Sequence, residues 1–153
     1  MKKPSQLDIL NENLNALSEA LKWLERSYNI CNKFDVKNLN NEGMDAFEGL
    51  TSRFARVSDI LFNKVFRSIT YIEKGENLPW IDVVYHLEKK QVIDNAENAR
   101  LIKELRNDIV HEYIMADLTE LYHEVLTNTP TIIQYCQNAQ RHAEELKKKI
   151  EKR

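Results

Sequence analysis

Apolar residues in the N-terminal segment recur alternately three and four positions apart, which is the spacing of one helical face. The seam consists of Leu7, Leu10, Leu14, Leu17, Leu21, Leu24 and Tyr28. It predicts one helix over about 5–32, in which Ser5 caps the N-terminus and Asp8 places an acid in the first turn. The polar stretch 38–43 that follows predicts a loop.

The same periodicity continues along the rest of the chain. A second long helix is predicted over about 44–73, ended by Gly75 and then Pro79. A short helix is predicted over 80–90, and a fourth helix over 95–115 is opened by Asp94 and Glu97 as a capping pair. A fifth helix is predicted from Asp117 to about 149, and Pro130 is expected either to kink it or to split it in two.

No segment shows the strict alternation that is typical of strands, and no internal repeat is present. Because short connections favour antiparallel neighbours, the pattern predicts an all-α, up-and-down helical bundle of four main helices plus a short helix. The length of 153 residues suits a single domain over 1–153.

Composition and charge narrow the functional classes. Only three Gly and three Pro argue against an all-β protein and against a Gly-rich nucleotide loop. The formal net charge is −2, so any nucleic-acid contact must rest on a local site. Cys31 and Cys136 lie far apart outside any CxxC and are expected to be buried thiols. No stretch is apolar enough for a membrane span, which predicts a cytoplasmic protein with no membrane contact.

The fourth helix contains the most informative departure from the apolar pattern. Ile102, Leu105, Ile109 and Tyr113 form its predicted buried stripe, and Arg106 lies on the shoulder of that stripe. An arginine there must be paired, solvated along a cleft, or placed in an interface, and a structural ion pair with another helix would satisfy it. His111 points about 140° away from Arg106, and Asn107 lies near His111. Either the helix distorts at its end, or a second copy of the chain supplies the partner groups.

The residues of this helix also carry a family resemblance. Arg106, Asn107, His111 and Tyr113 match an Arg-x4-His-x-Tyr pattern with a polar residue directly after the arginine. The segment resembles the signature of HEPN-domain ribonucleases, and in particular of the HepT-like toxins of MNT–HepT toxin–antitoxin systems. The helical architecture and the chain length agree with that family over nearly the whole chain.

The resemblance implies a HEPN-like homodimer in which two copies of the motif line one composite cleft. It further implies metal-independent endoribonuclease activity that needs no cofactor and uses the ribose 2′-hydroxyl as the internal nucleophile. His111 would be the general acid or base, and Arg106 would bind the scissile phosphate. Asn107 would position the phosphate or orient His111.

The resemblance gives Tyr113 a different role. In such systems the antitoxin is an MNT-type nucleotidyltransferase that attaches AMP to the motif tyrosine. The adduct would add bulk and negative charge beside Arg106 and so repel RNA. Core packing of Tyr113 is the structural alternative.

Three further interpretations remain open from the sequence. A non-catalytic nucleotidyltransferase substrate-binding partner would have the same fold, and a purely structural bundle would need no site. A metal centre could use Asp108 with His111 and Glu120 with His123, whose spacing suits helical carboxylate sites, with Glu48 and Glu25 as additional ligands.

Local phosphate contacts could come from Arg53, Arg56, Lys64, Arg67, Arg100 and Lys103. His86 and His142 are isolated on polar backgrounds and are expected to have no chemical role.

Overall fold

The computed structural model describes residues 3–111 and 118–152 of the chain. Six α-helices are present in this part: α1 (Gln6–Cys31), α2 (Asn41–Ile60), α3 (Phe66–Lys74), α4 (Trp80–Lys89), α5 (Ala96–Val110) and α6 (Leu118–Glu151). A π-helical turn, Leu61–Val65, joins α2 to α3. The described residues contain no strand, and the prediction of an all-α bundle is confirmed.

The first helix forms as its sequence predicts. The Ser5 hydroxyl accepts a hydrogen bond from the Asp8 backbone N–H at 3.0 Å, and the Asp8 carboxylate accepts one from the Ser5 N–H at 3.1 Å. This reciprocal capping box satisfies backbone donors that the first helical turn leaves unpaired. The apolar face behind it, with Leu10, Leu17 and Leu24 fully buried, packs mainly against α2.

The second predicted helix is one rod with an interruption that periodicity did not reveal. It begins earlier than predicted, because the Asn40 side chain caps α2 by accepting from the Gly43 N–H at 2.8 Å. In the π turn the Phe66 N–H donates to the Leu61 carbonyl, five residues back. Gly75 ends α3 with a φ of 79°, a left-handed conformation that glycine adopts without steric cost.

The connection between α4 and α5 fixes where α5 begins. Asn95, and not Asp94, is the N-cap of α5, since its side chain accepts from the Asn98 N–H at 2.8 Å. Asp94 instead accepts hydrogen bonds from the Tyr135 hydroxyl and from the Asn98 side chain. Because Tyr135 lies on α6, this contact fixes the N-terminal end of α5 against α6.

Helix α6 runs through Pro130 without a break, so of the two predicted alternatives, a kink or a split, the split is wrong. Proline removes one backbone donor, yet the buried face continues on both sides of it, with Val125 and Ile132 fully buried. The Thr129 hydroxyl also donates to the Val125 carbonyl at 2.7 Å, within the turn that precedes the proline. Tertiary packing thus maintains the helix across an unfavourable residue.

The two thiols are buried and unpaired, as predicted. Burial raises the pKa of Cys31 to about 11, which keeps this thiol protonated and unreactive at neutral pH. None of the described helices combines the length and the apolar character that a membrane crossing would require.

Candidate functional site

Arg106 forms an ion pair with Asp59, which lies on α2. The Arg106 Nε donates to one Asp59 carboxylate oxygen at 2.7 Å, and Nη2 donates to the other at 2.9 Å. This bidentate geometry fixes the plane of the guanidinium group. The hydrogen bond to Asp59 also raises the pKa of Arg106, so the group is always charged.

The ion pair uses only part of the hydrogen-bonding capacity of Arg106. A guanidinium has five N–H donors, and Asp59 takes one from Nε and one from Nη2. The hydrogen bonds of residues 3–111 and 118–152 leave the two N–H groups of Nη1 and one of Nη2 available. About a third of the side chain is exposed, at 32% of its full accessibility. Arg106 is therefore oriented by Asp59 while one edge of its fork stays open to solvent.

That open edge belongs to a small cavity between α2, the π turn, α4 and α5. We call it the Arg106 cavity; its volume is about 210 Å³, and it is lined by Ser58, Asp59, Phe62, Asn63, Trp80, Lys103, Arg106 and Asn107. Arg106 and Asn107, two of the residues that carry the family resemblance, thus line the same cavity. The π turn supplies Phe62 and Asn63 to its wall, and such turns occur frequently at functional sites.

An aromatic and cationic pair forms part of the same cavity wall. The rings of Trp80 and Phe62 stack with centroids 6.0 Å apart and planes 29° from parallel. The Lys103 ammonium group lies 4.4 Å from the centroid of the Trp80 ring, which is a cation–π distance. Lys103 therefore adds a second positive charge beside Arg106, and Trp80 adds an aromatic surface.

The other two motif residues are placed differently. His111 is the C-cap of α5, with a φ of −100° and a ψ of 11°, and it is exposed. The regular helix therefore ends at Val110, and His111 is not among the residues that line the Arg106 cavity. Tyr113, the predicted AMP acceptor, lies outside the described residues. The part of the predicted buried stripe that the structure describes is confirmed, because Ile102, Leu105 and Ile109 are buried.

The opposite side of α5 faces α6 across an acidic groove. This groove has a volume of about 360 Å³, and its wall includes the carboxylates of Glu104, Asp108, Glu120 and Glu124. Two ligands of the alternative metal centre, Asp108 and Glu120, lie here. Within residues 3–111 and 118–152, no group of three or more His, Cys, Asp and Glu side chains is arranged so that it could hold a metal ion.

A polar cluster that the sequence did not predict lies between α3, α4 and α6. His86 Nε2 is 3.0 Å from a carboxylate oxygen of Glu73, and His142 Nε2 is 3.1 and 3.2 Å from the two oxygens of the same group. The expectation that the two histidines are isolated is wrong. Burial alone would raise the pKa of Glu73, but the hydrogen bonds and charges of His142 and His86 outweigh it and lower that pKa to about 2. The cluster connects α3, α4 and α6 through side-chain contacts. Its members are too far apart in the sequence for helical periodicity to predict that they meet.

The structure also separates the candidate phosphate contacts. Lys103 lines the Arg106 cavity, while Lys64 and Arg67 line an adjoining one. Arg53 is engaged elsewhere, because its Nη1 donates to the Ser27 hydroxyl at 2.6 Å. Arg100 is paired with Glu97 at 2.7 Å on the surface.

Comparison with protein-family models, with curated proteins and with solved structures finds no match to this chain. The case for a function therefore rests on the motif residues and on the geometry of the Arg106 cavity.

Proposed function

We propose that this protein is a metal-independent endoribonuclease and the toxin component of a toxin–antitoxin pair. The observation that supports this function best is the state of Arg106, which is held in one plane by Asp59 while it lines an open cavity with three N–H donors that Asp59 does not use. A charged fork that is fixed in orientation and open along one edge is suited to binding a phosphodiester. Asn107, Lys103 and Trp80 surround it with groups that hydrogen-bond, attract a phosphate and stack on a base.

In the proposed reaction the ribose 2′-oxygen forms a bond to phosphorus, and the bond from phosphorus to the 5′-oxygen breaks. The 2′-hydroxyl loses a proton and the departing 5′-oxygen gains one, which calls for a general acid or base. We assign this role to His111, whose exposed position at the end of α5 leaves the imidazole accessible to RNA. Arg106 binds the non-bridging phosphate oxygens and stabilises the charge that develops on them.

The proposed active unit is a homodimer. His111 lies at the C-cap of α5 and is not among the residues that line the Arg106 cavity, so one protomer does not place both groups in that cavity. Two copies that meet along α5 would bring Arg106 of one protomer and His111 of its partner to a composite site. Val110 favours such a contact, since this apolar residue next to His111 is 45% exposed.

Regulation is proposed to act on Tyr113 through an MNT-type nucleotidyltransferase antitoxin that transfers AMP to its hydroxyl. This part of the proposal rests on the sequence motif. Co-incubation of the protein with such a transferase and ATP should add the mass of AMP to the wild type and not to Tyr113→Phe. Intact-mass spectrometry checks this, and an adduct on another residue would contradict the assignment.

The direct test of the nuclease is RNA cleavage in the presence of EDTA, with wild type, His111→Ala and His123→Ala compared. His123 is a matched control, because it is also an exposed histidine but lies on α6. We expect cleavage by wild type and His123→Ala and its loss in His111→Ala, with helical circular dichroism and dimer mass unchanged. The wild type must first be shown by mass to carry no AMP.

A non-catalytic nucleotidyltransferase partner is the second candidate. The Arg106–Asp59 pair favours it, because an arginine with a carboxylate on a neighbouring helix is also what a structural role requires. Absence of cleavage by unmodified protein, together with binding to the transferase, would establish this second function in place of the first.

A further inference from the structure

The Arg106 cavity adjoins a second cavity at Asn63, which lines both. The second cavity has a volume of about 390 Å³ and lies where α1 passes the π turn and α3. Its lining includes Lys64, Arg67, Tyr71 and the side-chain amides of Gln6, Asn13 and Asn77. We call these two adjoining cavities together the Asn63 groove.

The charge of this groove differs from that of the chain. Its lining contains four cationic residues, Lys64, Arg67, Lys103 and Arg106, and one carboxylate, Asp59, which is already paired. The whole protein has a formal net charge of −2. The groove therefore concentrates positive charge on a molecule that is slightly acidic overall, which favours the approach of a polyanion to this surface.

Part of the groove wall is fixed before any ligand binds. The Arg67 Nη1 donates to the Leu78 carbonyl at 2.9 Å, which positions the guanidinium group and leaves other N–H groups to face the groove. The Asn13 amide donates to the Ser68 hydroxyl at 2.9 Å. Lys64, in contrast, is exposed. A fixed arginine and a free lysine three residues apart suit successive contacts to one flexible phosphate chain.

The π turn contributes residues to both cavities. Phe62 and Asn63 line the first cavity, and Asn63 and Lys64 line the second. Such turns occur frequently at functional sites. Each cavity also has an aromatic residue, Trp80 in the first and Tyr71 in the second, and a base can stack on either ring.

We propose that the Asn63 groove is the binding track for single-stranded RNA next to the cleaved bond. The nucleotide at the scissile phosphate occupies the Arg106 cavity, where Trp80 offers a stacking surface. Lys64 and Arg67 bind the phosphate of a neighbouring nucleotide in the second cavity. This assignment rests on the proposed nuclease function, and it extends that function from a single phosphate to a substrate of more than one nucleotide.

The groove favours RNA over an acidic protein segment because it combines cations with three aromatic rings and several amides. Alternating phosphates and bases require both kinds of group, whereas carboxylates require only the first. A polyglutamate peptide is therefore a suitable competitor in the test below.

The experiment measures binding of a fluorescent single-stranded RNA oligonucleotide by anisotropy over a series of salt concentrations. His111→Ala is the background, since it prevents cleavage without altering the groove. Lys64→Gln and Arg67→Gln are compared with Lys33→Gln, an exposed lysine beyond the opposite, C-terminal end of α1. Thermal unfolding verifies that each variant is folded, and Lys64→Gln carries the test by itself if loss of the Leu78 contact destabilises Arg67→Gln.

Log affinity falls with log salt concentration, and we expect each groove variant to make this slope less steep by about 0.7, as loss of one single-strand phosphate contact does. At moderate salt the affinity should fall several-fold, while Lys33→Gln should match the background protein. Any one of three results would overturn the proposal. The slopes could stay unchanged in both groove variants, the background protein could fail to bind at low salt, or polyglutamate could displace the RNA as efficiently as unlabelled RNA does.

The outcomes also separate this proposal from the nuclease itself. Binding that depends on Lys64 in a protein that cleaves no RNA would keep the groove and refute the nuclease. Cleavage that depends on Arg106, with RNA binding indifferent to Lys64 and Arg67, would keep the nuclease and refute the groove.

Discussion

The two sides of α5 carry opposite charge. Lys103 and Arg106 face the cavity shared with α2 and α4, whereas Glu104 and Asp108 face the groove shared with α6. At about 100° per residue, adjacent positions such as 103 and 104 diverge onto different sides of the helix. The net charge of −2 therefore conceals a local separation of charge, and it says little about whether the protein binds a polyanion.

The two sides also differ in how their charges are held. Arg106 has a bidentate partner and Lys103 lies over an aromatic ring. Four carboxylates line the acidic groove. Glu104 and Asp108 come from α5, and the other two come from α6. The carboxylates of the acidic groove would repel a polyanion, whereas the cations on the other side of α5 would attract one. The predictions below are tests of this asymmetry.

Removal of the central cation should have the largest effect. Arg106→Ala should lower the rate of RNA cleavage by about 100-fold to 1000-fold, since it deletes the group that stabilises charge on the phosphate. The ion pair is partly exposed, so the loss of stability should be about 1 kcal/mol or less. Single-turnover cleavage and thermal unfolding measure the two effects.

Asp108→Ala on the opposite side of α5 is the matched control and should leave the cleavage rate within about twofold. A large loss of stability in Arg106→Ala, in a wild type that has no cleavage to lose, would instead identify a structural arginine.

Charge reversal should distinguish the two sides by RNA affinity. Lys103→Glu should weaken binding by about tenfold at low salt, because it replaces an attraction with a repulsion inside the Arg106 cavity. The adjacent Glu104→Lys should change affinity by about twofold or less. Both effects should shrink at high salt; equal effects of the two reversals would show that RNA does not discriminate between the sides of α5.

The partner of Arg106 should act on catalysis through orientation. Asp59→Asn keeps a hydrogen-bond acceptor but removes the charge, so Arg106 loses its fixed plane. We expect kcat to fall several-fold with little change in KM, and Asp45→Asn, at an exposed position on the same helix, to match the wild type. A fall in stability with kcat unchanged would limit Asp59 to a structural role.

The Glu73 cluster lies outside both sides of α5, and its disruption should change stability alone. The pKa of Glu73 is lowered from its ordinary value of 4.5 to about 2, so the ionised group stabilises the fold above pH 4.5. That contribution is lost as the pH falls from about 4.5 to 2. Glu73→Gln should therefore lower the free energy of unfolding by on the order of 1–2 kcal/mol at neutral pH, after discount for solvent screening.

Urea unfolding at a series of pH values measures this contribution. The difference between wild type and Glu73→Gln should shrink between pH 4.5 and 2, and RNA cleavage near neutral pH should be unchanged. A constant difference across that range would contradict the role assigned to the ionised carboxylate.

Local pattern was sufficient to predict most of the helices. The seam of α1 and the apolar stripe of α5 repeat at the helical period, and burial follows directly from that repeat. Boundaries were less accurate where a side chain competes for a cap, as Asn95 does with Asp94. The uninterrupted α6 shows that packing on both sides of Pro130 can outweigh a local preference that the sequence displays plainly.

The site was predictable only in part. The position of Arg106 on the shoulder of a buried stripe showed that it needs a partner, but Asp59 lies 47 residues away and no spacing rule connects the two. The π turn leaves no mark on the apolar pattern, yet it places Phe62 and Asn63 in the Arg106 cavity. Glu73, His86 and His142 meet only through the tertiary fold, which is why the histidines looked isolated along the chain.

The most direct test of the account is one comparison of substrates in EDTA. Unmodified wild-type protein is incubated with a single-stranded RNA oligonucleotide and, separately, with the all-deoxy oligonucleotide of the same sequence. The account predicts that the RNA is cut to a product with a 2′,3′-cyclic phosphate and that the deoxy strand stays intact, because it lacks the internal nucleophile. Cleavage of both strands, or cleavage of RNA only after a divalent metal ion is restored, would contradict it.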